Sequence, residues 1–197
     1  MQTPAALPVR RRFTADEFEH LAEVGILPED DRLELLDGEI VEMTPISTDH
    51  AGCVNALTAI FSRRLGNRIV AAVQNPVRLD DFNEPQPDFC LLRPRDDFYR
   101  TVHPGGPDVL LLVEVAHTSQ KYDRDIKTPL YGRYRVQETW VVDVARGVVD
   151  VYREPTPEGY RRHRQLTPGE QLAPEAFPEL SLDVREIVGD SRPNDGD

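Results

Sequence analysis

The segment DVLLLVEV, residues 108–115, constrains this chain more than any other stretch. It is apolar almost throughout and shows no polar alternation, so it reads as a strand buried on both faces. Such a strand needs neighbours on either side and helices above and below. The remaining segments must supply what covers it.

Helix signals come first. TADEFEHLAE offers Thr14 as an N-cap with Glu17 three residues on, the reciprocal capping pattern, and Phe18 and Leu21 follow at helical spacing. DHAGCVNALTAIFSRRLGNR carries Val54, Leu57, Ile60, Phe61 and Leu65 on one helical face and stops near Gly66-Asn67. DRDIKTPLYGRYRV predicts a helix starting near Tyr122 or Asp123, with Ile126, Leu130 and Tyr134 on one side. Pro129 sits awkwardly there, because it removes a hydrogen bond and either kinks the helix or marks a late start.

Strand signals fill the gaps. RLELLDGEIVEM alternates around Asp37-Gly38, a strong indicator of a tight hairpin. IVAAVQNPVRL and QPDFCLL are extended, and ETWVVDV and GVVDVYR form a pair, followed by a polar hairpin and a proline-rich stretch. The order is helix, hairpin, helix, three strands, helix, two strands. That is an α/β (α+β) chain with a mixed central β-sheet flanked by helices. Residues 1–12 are expected to be a flexible arm, 13–188 a single domain, and 189–197 a disordered tail.

Composition narrows the function classes. A chain of 197 residues, 39% hydrophobic and 29% charged, has the make-up of a soluble domain able to bury a real core. No apolar run approaches the roughly 18 to 20 residues that cross a bilayer, and the N-terminus lacks the apolar stretch of a secretory signal. Cys53 and Cys90 form neither a zinc pattern nor a disulfide framework, so a reducing cytoplasm is expected. A net charge of −12 argues against coating nucleic acid through the overall field. It leaves room for a local basic groove, since screening acts beyond about 8 Å. The runs RRR at 10–12 and RRHR at 161–164 are read as solvated faces.

Two acids stand at strand ends. Asp88 follows Pro87 at the start of an apolar strand, and Glu114 lies at the end of the next. If those strands are antiparallel neighbours, side chains directly opposite approach to about 5 Å. Like charges that close need a cation, and oxygen ligands of this kind suit Mg²⁺. Lys127, about one turn into the following helix, is placed to reach back over the sheet end, and Tyr131 shares its face. Each residue has a simpler reading when taken alone. Asp88 would be a turn residue, Glu114 an exposed strand end, Lys127 a solvated helix residue, and Asp123 a helix cap. Trp140, Tyr134 and Phe61 are expected in the core, Asp143 as structural, and His103, His117 and His163 as solvated.

Taken together, RLELLDGEIVEM, QPDFCLL, LLLVEVAHTSQKYDRDIKTPLY and ETWVVDVARGVVDVY resemble the Uma-two family of the PD-(D/E)XK nuclease superfamily, over roughly residues 13 to 187. The superfamily pattern places a lysine two residues after the second acid, where this chain has Ala116. The lysine looks moved to the following helix in a D-x-x-x-K-x-x-x-Y arrangement, matched by Asp123, Lys127 and Tyr131. Glu34 matches the family's early acid, and His50 the histidine that opens its first long helix.

The resemblance implies a restriction endonuclease-like core and hydrolysis of DNA phosphodiester bonds with Mg²⁺, for which Mn²⁺ substitutes. Asp88, Glu114 and the Val115 backbone carbonyl would hold the ion. Lys127 would position or deprotonate the water, or neutralise phosphate charge, with Glu34, His50 and Tyr131 in the same site. A homodimer is expected, because cutting both strands calls for two sites. The alternative is a binding module that keeps the fold without turnover. Nucleophilic hydrolysis by Ser or Cys has no supporting motif.

Overall fold

The structure, a computed structural model, describes residues 10–28, 31–116 and 120–189. Thr14 caps helix α1 (Ala15–Glu23): its side chain takes the Glu17 N–H, and Glu17 accepts the Thr14 N–H in return. Strands β1 (Leu33–Leu36) and β2 (Glu39–Glu42) form the expected hairpin. Asp37 and Gly38 have φ of 51° and 76°, the two left-handed residues that a tight turn of this kind requires. Helix α2 (Thr48–Leu65) is capped by Ser47, ends at Gly66 and buries the predicted apolar face.

Strand β3 (Val70–Val73) is shorter than the apolar segment predicts. Gln74 turns left-handed at φ 51°, and Pro76 has no N–H to give a ladder. Strand β4 (Phe89–Leu92) begins one residue after Asp88, and β5 (Val109–Ala116) is buried at all eight positions, as the opening segment demands.

The helical run after β5 departs from a single regular helix. Helix α3 (Gln120–Tyr122) passes into a π-helical turn, Asp123–Lys127, and then into α4 (Thr128–Arg133). The Thr128 N–H donates to the Asp123 carbonyl five residues back, and the Thr128 hydroxyl donates to the same oxygen at 2.7 Å. The widened turn stands immediately before Pro129, whose ring would press on the preceding turn of a regular helix. It also rotates the apolar face. Leu130 is buried, whereas Ile126, expected beside it, is 50% exposed. Tyr134 is only half-buried and donates its hydroxyl to Asp80.

Strand β6 (Glu138–Asp143) runs parallel to β5, so the helical run is the crossover that a parallel pair needs. Strands β7 (Val148–Thr156) and β8 (Gly159–Leu166) continue antiparallel, completing a mixed sheet in the order β3-β4-β5-β6-β7-β8. On one face α2 packs with the C-terminal elements β9 (Gln171–Leu172), β10 (Leu182–Asp183) and α5 (Val184–Val188). There Phe61 stacks on Phe89 at 5.6 Å and tilts against Trp140 at 6.2 Å. On the other face Cys90, Leu112, Tyr131 and Val136 form a second core. Here α4 lies directly on β8: a Cβ on Gly132 would come 2.3 Å from the Gly159 carbonyl oxygen.

Of the expected arm, residues 10–12 are described; Arg12 donates to the Asp37 carbonyl at 2.7 Å and lies 4.2 Å over the Phe82 ring. Of the expected tail, residues 190–197 lie outside the described residues, as does His117. In the second basic run, Arg162 and Arg164 pair with Glu154 and Glu170 at 3.3 and 2.9 Å. Among the described residues no helix is long and apolar enough to cross a membrane.

Candidate active site

Strands β4 and β5 are antiparallel neighbours with Cys90 opposite Leu112 and Phe89 opposite Val113. Continuing that register by one residue sets Asp88 opposite Glu114 on the same face. The Val115 N–H donates to Asp88 Oδ2 at 2.8 Å. Along an extended strand one residue's N–H and C=O point to the same edge, so the Val115 carbonyl is also turned toward Asp88. Neither acid is the solvated strand end that its position alone suggests. Asp88 is 5% and Glu114 2% exposed.

Three further elements close around this pair. The first turn of α2 brings His50 Nε2 to 2.9 Å from Asp88 Oδ1. The β1–β2 hairpin supplies Glu34, whose Oε2 accepts the Gln86 N–H at 3.3 Å. From the π-helical turn, Lys127 Nζ bridges Glu34 Oε2 at 3.0 Å and Glu114 Oε1 at 2.8 Å. Lys127 is itself 2% exposed, so it is not a solvated helix lysine. Tyr131, one turn further, donates its hydroxyl to Glu114 Oε1 from behind. Glu34, His50, Asp88, Glu114, Val115 and Lys127 line one cavity of about 480 Å³, and Asp123, Tyr122 and Arg32 share its wall.

Residues 15–185 match the Uma2 family, described as "Putative restriction endonuclease". The chain belongs to that family. A crystal structure described as a putative nuclease of DUF820 from Anabaena variabilis ATCC 29413 has the same fold, with a TM-score of 0.69 and 18% identity over 89% of this chain and 97% of that one. No curated protein matches the chain. The core is thus restriction endonuclease-like, and membership supports a nuclease-like function.

The electrostatics of this Uma2-family site follow from burial and crowding. Five carboxylates, those of Glu34, Glu42, Asp88, Glu114 and Asp123, share the cavity wall with two cations, Lys127 and Arg32. Burial pushes Glu114 up to about 8, against the pull of Lys127 and reinforced by the charges of Asp88, Asp123 and Glu34. Asp88 is equally buried, yet the His50 contact, the Val115 N–H and Lys127 outweigh desolvation and hold it below the ordinary carboxylate range. Burial works against the charged form of Lys127 as well, but Glu114, Glu34 and Asp123 outweigh it and hold its pKa well above that of a free lysine. Two opposed carboxylates, an adjacent carbonyl and an excess of negative charge form an all-oxygen set that fits a hard divalent cation.

Some site residues carried no separate signal. Asp123, expected as a helix cap, follows the α3 turn, is buried and lines the cavity; its spacing of four from Lys127 was the available hint. Gln86 and Gln74 support the acids, through the Gln86 N–H to Glu34 and a long 3.5 Å contact from Gln74 Nε2 to Asp88 Oδ1. Nothing in their spacing marks them. His163 and His103 are exposed, as expected, and each also has a partner: His163 Nε2 lies 2.8 Å from Asp150, its ring stacked on Tyr152, and His103 stands 3.9 Å from Glu19. Both cysteines are buried and free, with Cys53 pushed up to about 12 by burial and Cys90 raised well above the ordinary thiol range. Neither is a thiolate nucleophile at neutral pH.

Proposed function

We propose that this protein is a divalent-metal-dependent endonuclease that hydrolyses DNA phosphodiester bonds, using Mg²⁺ with Mn²⁺ able to substitute. The observation that carries the reading is the meeting of Asp88 and Glu114 on one face of adjacent strands, with Lys127 Nζ 2.8 Å from Glu114. Asp88, Glu114 and the Val115 carbonyl are the residues that would hold the ion. When bound, it would supply Lewis-acid stabilisation of charge on the phosphate oxygens and a more acidic water.

The chain's own residues divide the remaining work. His50 orients Asp88 and favours its ionised form. Tyr131 steadies Glu114 through its hydroxyl. Lys127 remains an ammonium at neutral pH, so it does not take the proton from water. Its part is electrostatic, neutralising phosphate charge once substrate competes with Glu34 for it. Glu34 holds Lys127 within the cleft until then. A cytoplasmic homodimer of a single-domain chain, residues 13–188, completes the reading, since two sites are needed to cut both strands of a duplex.

The test is nicking of supercoiled plasmid with Mg²⁺ or Mn²⁺. Wild type should nick, and Glu114→Ala should not. The alternative, a binding module that has kept the nuclease fold, is favoured by the net charge of −12 and by the lysine already engaged with two carboxylates. It forecasts DNA or metal binding with no nicking at any metal concentration.

A further inference from the structure

Away from the cleft, Glu84 meets two side chains from two other segments, Glu19 and His103. Glu84 lies between β3 and β4, its N–H and C=O paired with Leu35 of β1 at 2.8 and 3.2 Å. Glu19 comes from α1, and His103 from the loop joining β4 to β5. One ligand-capable atom of each lies within 4.8 Å of the other two, and His103 Nε2 is 3.9 Å from Glu19 Oε1. Glu84 is only 2% exposed, yet its Oε2 has no hydrogen-bond partner among the described residues. A carboxylate oxygen is not left buried and unmatched without cost. Either a cation or a proton belongs in that slot.

The surrounding charge favours a cation. Arg78 is engaged with Asp16 at 2.6 Å and stands 3.9 Å from Glu19 and 3.7 Å from Asp81. Four carboxylates, Asp16, Glu19, Asp81 and Glu84, therefore share one guanidinium. Burial, then the charge of Glu19 and a hydrogen bond with its carboxyl, raise Glu84 to about 7 against the pull of Arg78.

We propose that Glu19, Glu84 and His103 form a second metal site, for a transition-metal cation of the Zn²⁺ class, that clasps α1 to the body of the domain. An imidazole nitrogen with two carboxylates suits Zn²⁺ better than Mg²⁺, which prefers oxygen alone. Bonds of about 2.1 Å to one ion set its ligands about 3 to 3.5 Å apart, so the exposed His103 ring needs only a small inward movement. The helix has use for a clasp: Ala15 is its one buried residue among those described, and the Ala15 N–H to Asp81 carbonyl bond, 2.7 Å, ties down only its start.

The site is separate from the cleft, so it can be tested whether or not the protein cuts DNA. Zn²⁺ is titrated calorimetrically into full-length Glu114→Gln protein, which lacks a cleft ligand, and into the same background carrying His103→Ala or Glu84→Gln. One saturable site is expected, weakened at least tenfold by His103→Ala and lost with Glu84→Gln. A Zn²⁺-dependent rise in melting temperature should disappear with it. Because His103 is exposed, its replacement leaves the fold intact. Binding indifferent to His103→Ala would overturn the proposal. So would an absence of saturable binding; a Glu84→Gln variant that then raises the melting temperature would assign the slot to a shared proton.

Discussion

Metal binding at the cleft should be steeply coupled to the protonation of Glu114. Its carboxyl titrates near 8, because burial and three neighbouring acids outweigh Lys127. An ion held by Asp88 and Glu114 requires Glu114 to be ionised, whereas Asp88, held low, stays ionised throughout. With that pKa, Glu114 is half ionised at pH 8 and about 1% ionised at pH 6. Apparent Mg²⁺ or Mn²⁺ affinity should therefore fall about 50-fold over those two units, roughly 2.3 kcal/mol. At pH 7 each ion bound should release about 0.9 proton. Calorimetry in buffers of different ionisation heat measures both quantities together. Saturable binding that is lost in Glu114→Gln, yet moves less than about threefold between those pH values, would refute the coupling and the ligand assignment behind it.

The same shifts set the stability of the metal-free protein. Glu114 and Glu84 both have folded values raised above 4.5, so their contributions are complete below that pH and are lost as pH rises through about 8 and about 7. The melting temperature without metal should fall across this window, and saturating Mn²⁺ should recover most at its upper end. Lys127→Ala leaves Glu34 and Glu114 buried without their cation, and should cost about 3–5 kcal/mol by urea denaturation rather than the roughly 0.5 kcal/mol of a solvated lysine. It should abolish nicking and spare metal binding, whereas Lys127→Arg, which keeps the charge, should retain partial nicking; a folded, metal-binding Lys127→Arg protein with none would return the lysine to proton transfer. Gly132→Ala should destabilise by about 1–3 kcal/mol or prevent folding, since its Cβ would lie 2.3 Å from the Gly159 oxygen. Gly52→Ala in α2, where a Cβ meets nothing within 4 Å, should instead stabilise by about 0.5–1 kcal/mol on thermal melting.

The parts of the fold that were legible in the sequence are those set by short-range chemistry. The Thr14–Glu17 cap, the Asp37-Gly38 turn and the apolar face of α2 each depend on residues within a turn or two of one another. The burial of β5 was legible for a different reason, because a run apolar at every position but Glu114 has nowhere else to go. Failure began where tertiary packing chose among local options. The π-helical turn adds one residue ahead of Pro129, which no helical periodicity encodes, and Ile126 swings to solvent as a result. Glu34 is an alternating hairpin residue by pattern. Its burial against Lys127 arises only when the hairpin folds over the sheet end. The histidines expected to be solvated are exposed, but their partners, Asp150 and Glu19, come from distant segments and left no local mark.

The displaced lysine joins the two levels. Residues two apart on a strand face the same side, so a lysine in place of Ala116 would share a face with Glu114. In this chain that position is fully buried under its neighbours and holds only a methyl group. The ammonium reaches Glu114 instead from the crossover helix, and the π-helical turn brings Lys127 and Asp123 to the cavity together. That route has a consequence that the strand route lacks. A helix-borne lysine can be shared with a residue outside the sheet, and Glu34 on the hairpin takes that place at 3.0 Å. The ammonium beside the acids is thus tied to the hairpin as well as to β5, even though neither β1 nor β2 belongs to the central sheet.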